Sequence, residues 1–142
     1  MVDKPRSYTV DEFEEFIALP ENHDRLFELI NGEVVEKMPT EKHGELAAWI
    51  AALLLNFVRP RKLGRVGVEV RHQLTTDREN SRLPDVSFIS GKRASIQQGS
   101  VPQMPDLAIE IKSPDERLKD LKDKAHYYLL YTPRIVHTAM SV

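Results

Sequence analysis

Cysteine is absent from the 142-residue chain. That excludes a disulfide framework and a thiolate-bound metal, so any metal must sit on oxygen or imidazole ligands, and a hard cation such as Mg²⁺ suits these best. Long apolar runs are absent too. No stretch approaches the roughly 18 residues that a membrane span requires, and no apolar signal segment follows Met1. The chain is therefore expected to be cytoplasmic, with no membrane partner. Nor does one sign of charge prevail: 20 Lys and Arg against 22 Asp and Glu leave a net charge of −2, with a sequence pI of about 6.2. The whole-molecule field does not attract polyanions, so contact with one must be local. There is no Gly-rich phosphate loop, nucleophilic-serine motif, zinc cluster, internal repeat, low-complexity tract or domain linker.

What is present suffices for one core. With 41% hydrophobic residues, residues 1–142 are expected to form a single domain. Thr9-Val10-Asp11-Glu12 is a capping box that predicts a helix over 10–19, ended by Pro20. Asn31-Gly32 between two apolar-rich runs predicts an antiparallel hairpin. Thr40 can cap a long helix over 41–58 whose apolar face is Leu46, Ile50, Leu53, Leu54 and Phe57, with Pro60 and Gly64 closing it. Alternation from Val66 to Leu74 predicts a half-buried strand, 84–90 a second, and the segment around Leu107, Ile109 and Ile111 a third. A polar connection over 91–105 separates the last two. A final helix over 114–131 carries Leu118, Leu121, Ala125, Tyr128 and Leu129 on one side, with Asp120 four before Lys124 as a surface pair. The expected architecture is a mixed α/β domain with one sheet flanked by helices.

The chemistry gathers on two of these strands. Side chains alternate faces along a strand, so Glu110 and Lys112 project together while Leu107, Ile109 and Ile111 enter the opposite, apolar layer. Asp85, after Pro84, falls on the face opposite Val86 and Phe88. If the two strands are neighbours, Asp85 and Glu110 can supply oxygen ligands to one Mg²⁺, with Mn²⁺ as a substitute and the Ile111 carbonyl as a further ligand. Such a cation polarises a phosphoryl oxygen and activates water, and Lys112 on the same face can orient that water or offset charge at phosphorus. The bland alternative is a surface ion pair between Glu110 and Lys112, contributing at most about 1 kcal/mol.

These residues resemble a known family. Pro84-Asp85 with Glu110-Ile111-Lys112 is similar to the PD-(D/E)xK restriction-endonuclease-like superfamily. The surrounding sequence narrows the resemblance to the Uma-type family of bacterial restriction-endonuclease-like proteins. Phe27-Glu28-Leu29-Ile30-Asn31-Gly32-Glu33 resembles that family's opening hairpin, His43 the histidine opening its long helix, and Pro84-Asp85-Val86 its first acidic strand. Ile109 to Pro114 resembles its second acidic strand, and Asp120, Lys124 and Tyr128 match the spacing of its following helix. The resemblance implies a restriction-endonuclease-like mixed sheet flanked by helices and a Mg²⁺-dependent nuclease site at Asp85, Glu110 and Lys112, with Glu28 as an auxiliary acid and DNA as substrate. Many relatives carry an apolar residue where Lys112 stands, and there the helix lysine, Lys124 here, could supply the missing charge. The end departs from the family pattern: after the tyrosine helix the chain reads Thr132-Pro133-Arg134-Ile135-Val136-His137 and stops at Val142, so its C-terminus is expected to be truncated or altered. A short strand at Ile135-Val136 with a missing partner would leave a sheet edge for a homodimer to cover.

Other residues are read more plainly. His43 is expected to cap or pack, and His72, in line with Val68 and Val70, to be a core histidine. Trp49 and the tyrosines Tyr127, Tyr128 and Tyr131 are expected in the core or an interface. The rival to a nuclease is a catalytically inactive, dimeric protein-interaction or DNA-binding module that retains the fold.

Overall fold

The computed structural model of the chain describes residues 6–131 and, as backbone, 135–140. The expected alteration at the C-terminal end falls partly on 132–134 and 141–142, outside the described residues.

Helix α1 (Val10–Ile17) opens on the predicted capping box: Thr9 Oγ1 accepts from the Glu12 amide at 3.3 Å, and Glu12 Oε1 accepts from the Thr9 amide at 3.3 Å. Its buried Val10 and Phe13 pack on Phe27 and Leu29 of the hairpin β1 (Leu26–Ile30) and β2 (Glu33–Lys37). Asn31 and Gly32 both have positive φ, 49° and 82°, as a two-residue type I′ hairpin loop requires.

Helix α2 (Glu41–Arg61) starts at Thr40, whose hydroxyl accepts from the His43 amide at 3.2 Å. It runs past Pro60, where closure was expected. The proline ring suits helical φ and removes one amide donor in the last turn only. Lys62, in the left-handed conformation at φ 51°, ends the helix instead. The buried face also differs from expectation. His43, Ala47, Ala51 and Val58 face inward, with Leu46, Ile50 and Leu54 packed beside them. The expected core residues Leu53 and Phe57 are 56% and 54% exposed, and Trp49 is 67% exposed. The alanines explain this: their small side chains let the helix lie close on the sheet, so the contact line follows them and turns the bulky residues outward.

Strands β3 (Gly64–Val68), β4 (Val86–Ser90), β5 (Leu107–Lys112) and β6 (Ile135–Met140) form a four-stranded sheet in that order, antiparallel except for the parallel pair β5–β6. The hairpin is a separate two-stranded sheet, which corrects the single sheet expected. The loop before Asp85 pairs with β1 as an isolated bridge at Leu29 and Ser81, whose amides and carbonyls exchange bonds of 2.9 Å, and no continuous ladder forms. The strand expected over 66–74 stops at Val68, because Glu69 takes a φ of 51° and turns the chain. His72 then pairs with Arg82 and Val101 as isolated bridges. As expected, His72 is a core residue: it is fully buried with Nδ1 2.8 Å from the Gln103 carbonyl, and burial holds its pKa below the usual value.

Helix α3 (Leu118–Tyr131) begins later than the predicted 114, after a turn in which the Glu116 amide donates to the Ser113 carbonyl. Between the helices, β5 is covered on both faces. Ile109 and Ile111 pack on Ala47 and Ala51 of α2, while Ala108 clusters with Tyr127 and Tyr128 of α3. Glu110 shares the Ala108 face by alternation, so the face expected to be open is roofed by α3 and Glu110 is only 2% exposed. No helix among the described residues is long and apolar enough to cross a membrane.

Candidate active site

Where the hairpin, the start of α2, β5 and α3 meet, they enclose a cleft of about 860 Å³, lined among others by Glu28, Lys37, His43, Asp85, Glu110 and Lys124. Each side chain arrives by a local rule. β4 and β5 pair with Val86 opposite Ile109, and one step further along that register Asp85 comes level with Glu110. Helix α2 delivers His43 from its first turn. On α3, Lys124 lies three residues after Leu121 and four before Tyr128, both buried, so helical periodicity turns it inward.

Asp85 is 1% exposed and fully engaged. Its Oδ1 accepts from Lys37 Nζ at 2.8 Å, its Oδ2 accepts from the Ile111 amide at 2.6 Å, and His43 Nε2 lies 3.2 Å from Oδ2. Burial alone would raise its pKa. The Lys37 ammonium, the Ile111 amide and His43 outweigh that and hold it below the usual aspartate value. Lys37 reaches three acceptors: Asp85, Glu69 Oε2 at 2.8 Å and the Leu83 carbonyl at 2.6 Å. Although desolvation works against its charge, Glu28, Glu110, Asp85 and Glu69 keep its pKa above the ordinary lysine value.

The second acid is held differently. Tyr128 donates its hydroxyl to Glu110 Oε1 at 3.0 Å, and Lys124 Nζ is 3.9 Å from Oε2. Burial, reinforced by the neighbouring Glu28, pushes the Glu110 pKa well above the usual glutamate value. Glu28 is fully buried; its Oε1 accepts from the Leu83 amide at 2.9 Å, while Oε2 lies 3.4 Å from Lys124 Nζ and accepts no hydrogen bond. Lys124 completes the set with Glu116 Oε1 at 3.1 Å. Desolvation opposes its charge too, and Glu28, Glu110 and Glu116 raise its pKa above the ordinary value.

The sequence-predicted site residues thus take distinct places. Asp85, Glu110 and Glu28 line the cleft together, and Ile111 meets Asp85 through its amide. Lys112 is half-buried beyond Glu110, and its Nζ donates to the Ser113 carbonyl at 3.3 Å; the lysines lining the cleft are Lys37 and Lys124. Two readings are corrected. Asp120 pairs with Arg117 at 3.0 Å, not with Lys124, because Lys124 is drawn inward by three carboxylates. His43 does cap-proximal packing, but its imidazole also stands against Asp85. Sequence reasoning missed Lys37 altogether. Its signal was weak, a lysine closing a charged strand, since nothing local distinguishes it from an exposed one.

The all-oxygen donor set can be tested against a hard divalent cation. Among the described residues no three His, Asp or Glu side chains form a ready cage for an ion. One observation nevertheless fits one: the fully buried Glu28 Oε2 lacks a hydrogen-bond donor. An ion held by two carboxylates while keeping several waters is the usual manner of Mg²⁺.

A mixed sheet between helices, with acids from adjacent strands at the floor of a cleft, defines the restriction-endonuclease-like class of fold. The family described as "Putative restriction endonuclease", Uma2, matches residues 13–134, and the chain belongs to this family. Among solved structures, it is similar to one described as a "putative nuclease belonging to DUF820" from Anabaena variabilis ATCC 29413, with a TM-score of 0.75 and 24% identity over 94% of this chain and 74% of that one. That likeness establishes the fold alone. No curated protein sequence matches the chain.

Proposed function

We propose that the protein is a Mg²⁺-dependent endonuclease that hydrolyses DNA phosphodiester bonds, with Asp85 and Glu110 binding the ion, the Ile111 carbonyl as a further ligand and Glu28 as an auxiliary acid. The observation that carries this reading is the Asp85 carboxylate lying against the Glu110-Ile111 segment, fixed there by the Ile111 amide at 2.6 Å. When bound, the ion would polarise the phosphoryl oxygen and make the attacking water more acidic. The chain's own residues orient it: Tyr128 aims Glu110, while His43 and Lys37 aim Asp85. The Glu110-Ile111-Lys112 motif assigns the amine that offsets charge at phosphorus to Lys112, and burial among three carboxylates favours Lys124 for the same task.

The test is incubation of plasmid DNA with protein and Mg²⁺, with EDTA as the control. Metal-dependent nicking or linearisation is the expected outcome, and intact DNA at every protein concentration would refute the proposal. In the same assay Lys124→Met is expected to slow cleavage more than Lys112→Ala; the opposite ranking returns the role to Lys112.

A second reading, the dimeric and catalytically inactive module, is favoured by the outer face of α2, where Trp49, Leu53 and Phe57 recur every fourth residue and are exposed. Antiparallel pairing of two α2 helices would bury this stripe and bring Glu41 and Glu45 of one copy toward Arg59 and Arg61 of the other. Sedimentation should then find a homodimer that Leu53→Asp converts to monomer; a monomeric wild type across the concentration range excludes the dimer. Calorimetric titration with Mg²⁺ or Mn²⁺ separates the readings, since the inactive module shows no Asp85-dependent heat.

A further inference from the structure

Beneath the same cleft lies a cation that the metal reading does not use. Arg82 lines the cleft and is 1% exposed, among the largest fully buried side chains of the molecule. Its guanidinium lies over the Tyr127 ring, 4.0 Å from the centroid. Nε and Nη2 both donate to Asn80 Oδ1, at 3.0 and 2.9 Å, and Nη1 donates to nothing. Among the described residues no carboxylate lies within ion-pairing distance of it, whereas Lys37 and Lys124 each have at least two. The one acid in its support, Asp77, acts at second hand. Asp77 Oδ2 accepts from Asn80 Nδ2 at 2.9 Å and from the Tyr127 hydroxyl at 2.9 Å, which fixes the amide and the ring that hold the guanidinium.

A buried guanidinium normally has a carboxylate beside it, because desolvating an unpaired charge is costly. Here a neutral amide positions the group, an aromatic face stacks on it, and Nη1 with its two N–H bonds is left without an acceptor at the floor of a cleft. That is the arrangement expected of a site whose counter-ion arrives with the ligand, and guanidinium donors match the oxygens of a phosphate.

We propose that Arg82 is the phosphate anchor of this cleft, binding a non-bridging oxygen of a nucleic-acid backbone phosphate through Nη1. The proposal rests on the nucleic-acid reading of the site but not on cleavage. Arg82 acts in substrate binding, and Asn80 and Asp77 are positioning residues behind it.

The experiment is fluorescence anisotropy of a labelled duplex DNA oligonucleotide titrated without divalent metal, for wild type, Arg82→Gln and Arg82→Lys, with thermal melts as the folding control. Arg82→Gln is expected to weaken binding by about tenfold or more, the scale of a lost charge-assisted hydrogen bond. It should also lower the slope of log K against log salt by about one, the signature of a lost phosphate contact that a merely structural role would not produce. Should Arg82→Gln not fold, Arg82→Lys, which keeps the charge but not the planar fork, replaces it, with a loss of about threefold or more. Wild-type affinity and slope in the folded variant, or no binding by wild type, overturns the anchor. A wild type that binds the duplex but never cuts it defeats the hydrolase reading and leaves Arg82's part standing.

Discussion

Asp85→Asn is expected to abolish Mg²⁺-dependent DNA cleavage, with a rate loss on the order of a thousandfold, as when a preorganised charge-stabilising group is removed. Asparagine is the informative substitution. It preserves the size of the side chain and an oxygen that can accept from the Ile111 amide, but removes the charge that would bind the ion. Alanine confounds the test: it leaves Lys37 and His43 without their partner at a site that is 1% exposed, and breaking a buried pair costs about 3–5 kcal/mol. The pH dependence supplies a second readout. The folded pKa of Asp85 is lowered from 3.8, so its ionisation stabilises the fold above that value and the contribution disappears as the pH falls through the folded pKa. Denaturant midpoints between pH 2 and 6, a window of about two units on either side of the usual aspartate value, should fall less steeply toward acid in Asp85→Asn than in wild type. Undiminished cleavage by a folded Asp85→Asn protein would remove Asp85 from the site.

The second large effect is on stability. Lys37→Met is expected to destabilise the protein by ~3–5 kcal/mol, because it strands the buried Asp85 and the half-buried Glu69 without their ammonium. The methionine keeps the apolar stem, so the loss reports the charge and not a cavity. For a chain of this size that corresponds to a fall in Tm of about 10–20 °C. Lys119→Ala is the control: Lys119 pairs with Asp123 at 3.0 Å but is 76% exposed, so its pair contributes at most about 1 kcal/mol. Equal melting temperatures for the two variants would show that Lys37 is not the counter-ion of the cleft.

How far the sequence could be read follows from the range of the forces involved. Thr9 and Glu12 announced their capping box, and Asn31-Gly32 its type I′ turn, because those signals lie within a few residues of backbone they satisfy. The long helix was legible as a helix but not in its facing. Leu53 and Phe57 belong to its apolar pattern, yet Ala47 and Ala51 set which side could approach the sheet. The single sheet expected became two, since the hairpin pairs with the loop beside it through the isolated Leu29–Ser81 bridge and not through a ladder. The Asp120–Lys124 pairing failed for a related reason: local spacing permits it, but three carboxylates, two of them buried, compete for the same ammonium.

By itself the sequence determined the elements, the family and the acidic strands, because backbone hydrogen bonding and side-chain alternation are local and periodic. Only the tertiary structure decided which cations serve the acids. Lys37 and Lys124 come from a hairpin and a helix distant along the chain, and an ammonium's partner is set by distance and by exclusion of water, neither of which a linear pattern carries.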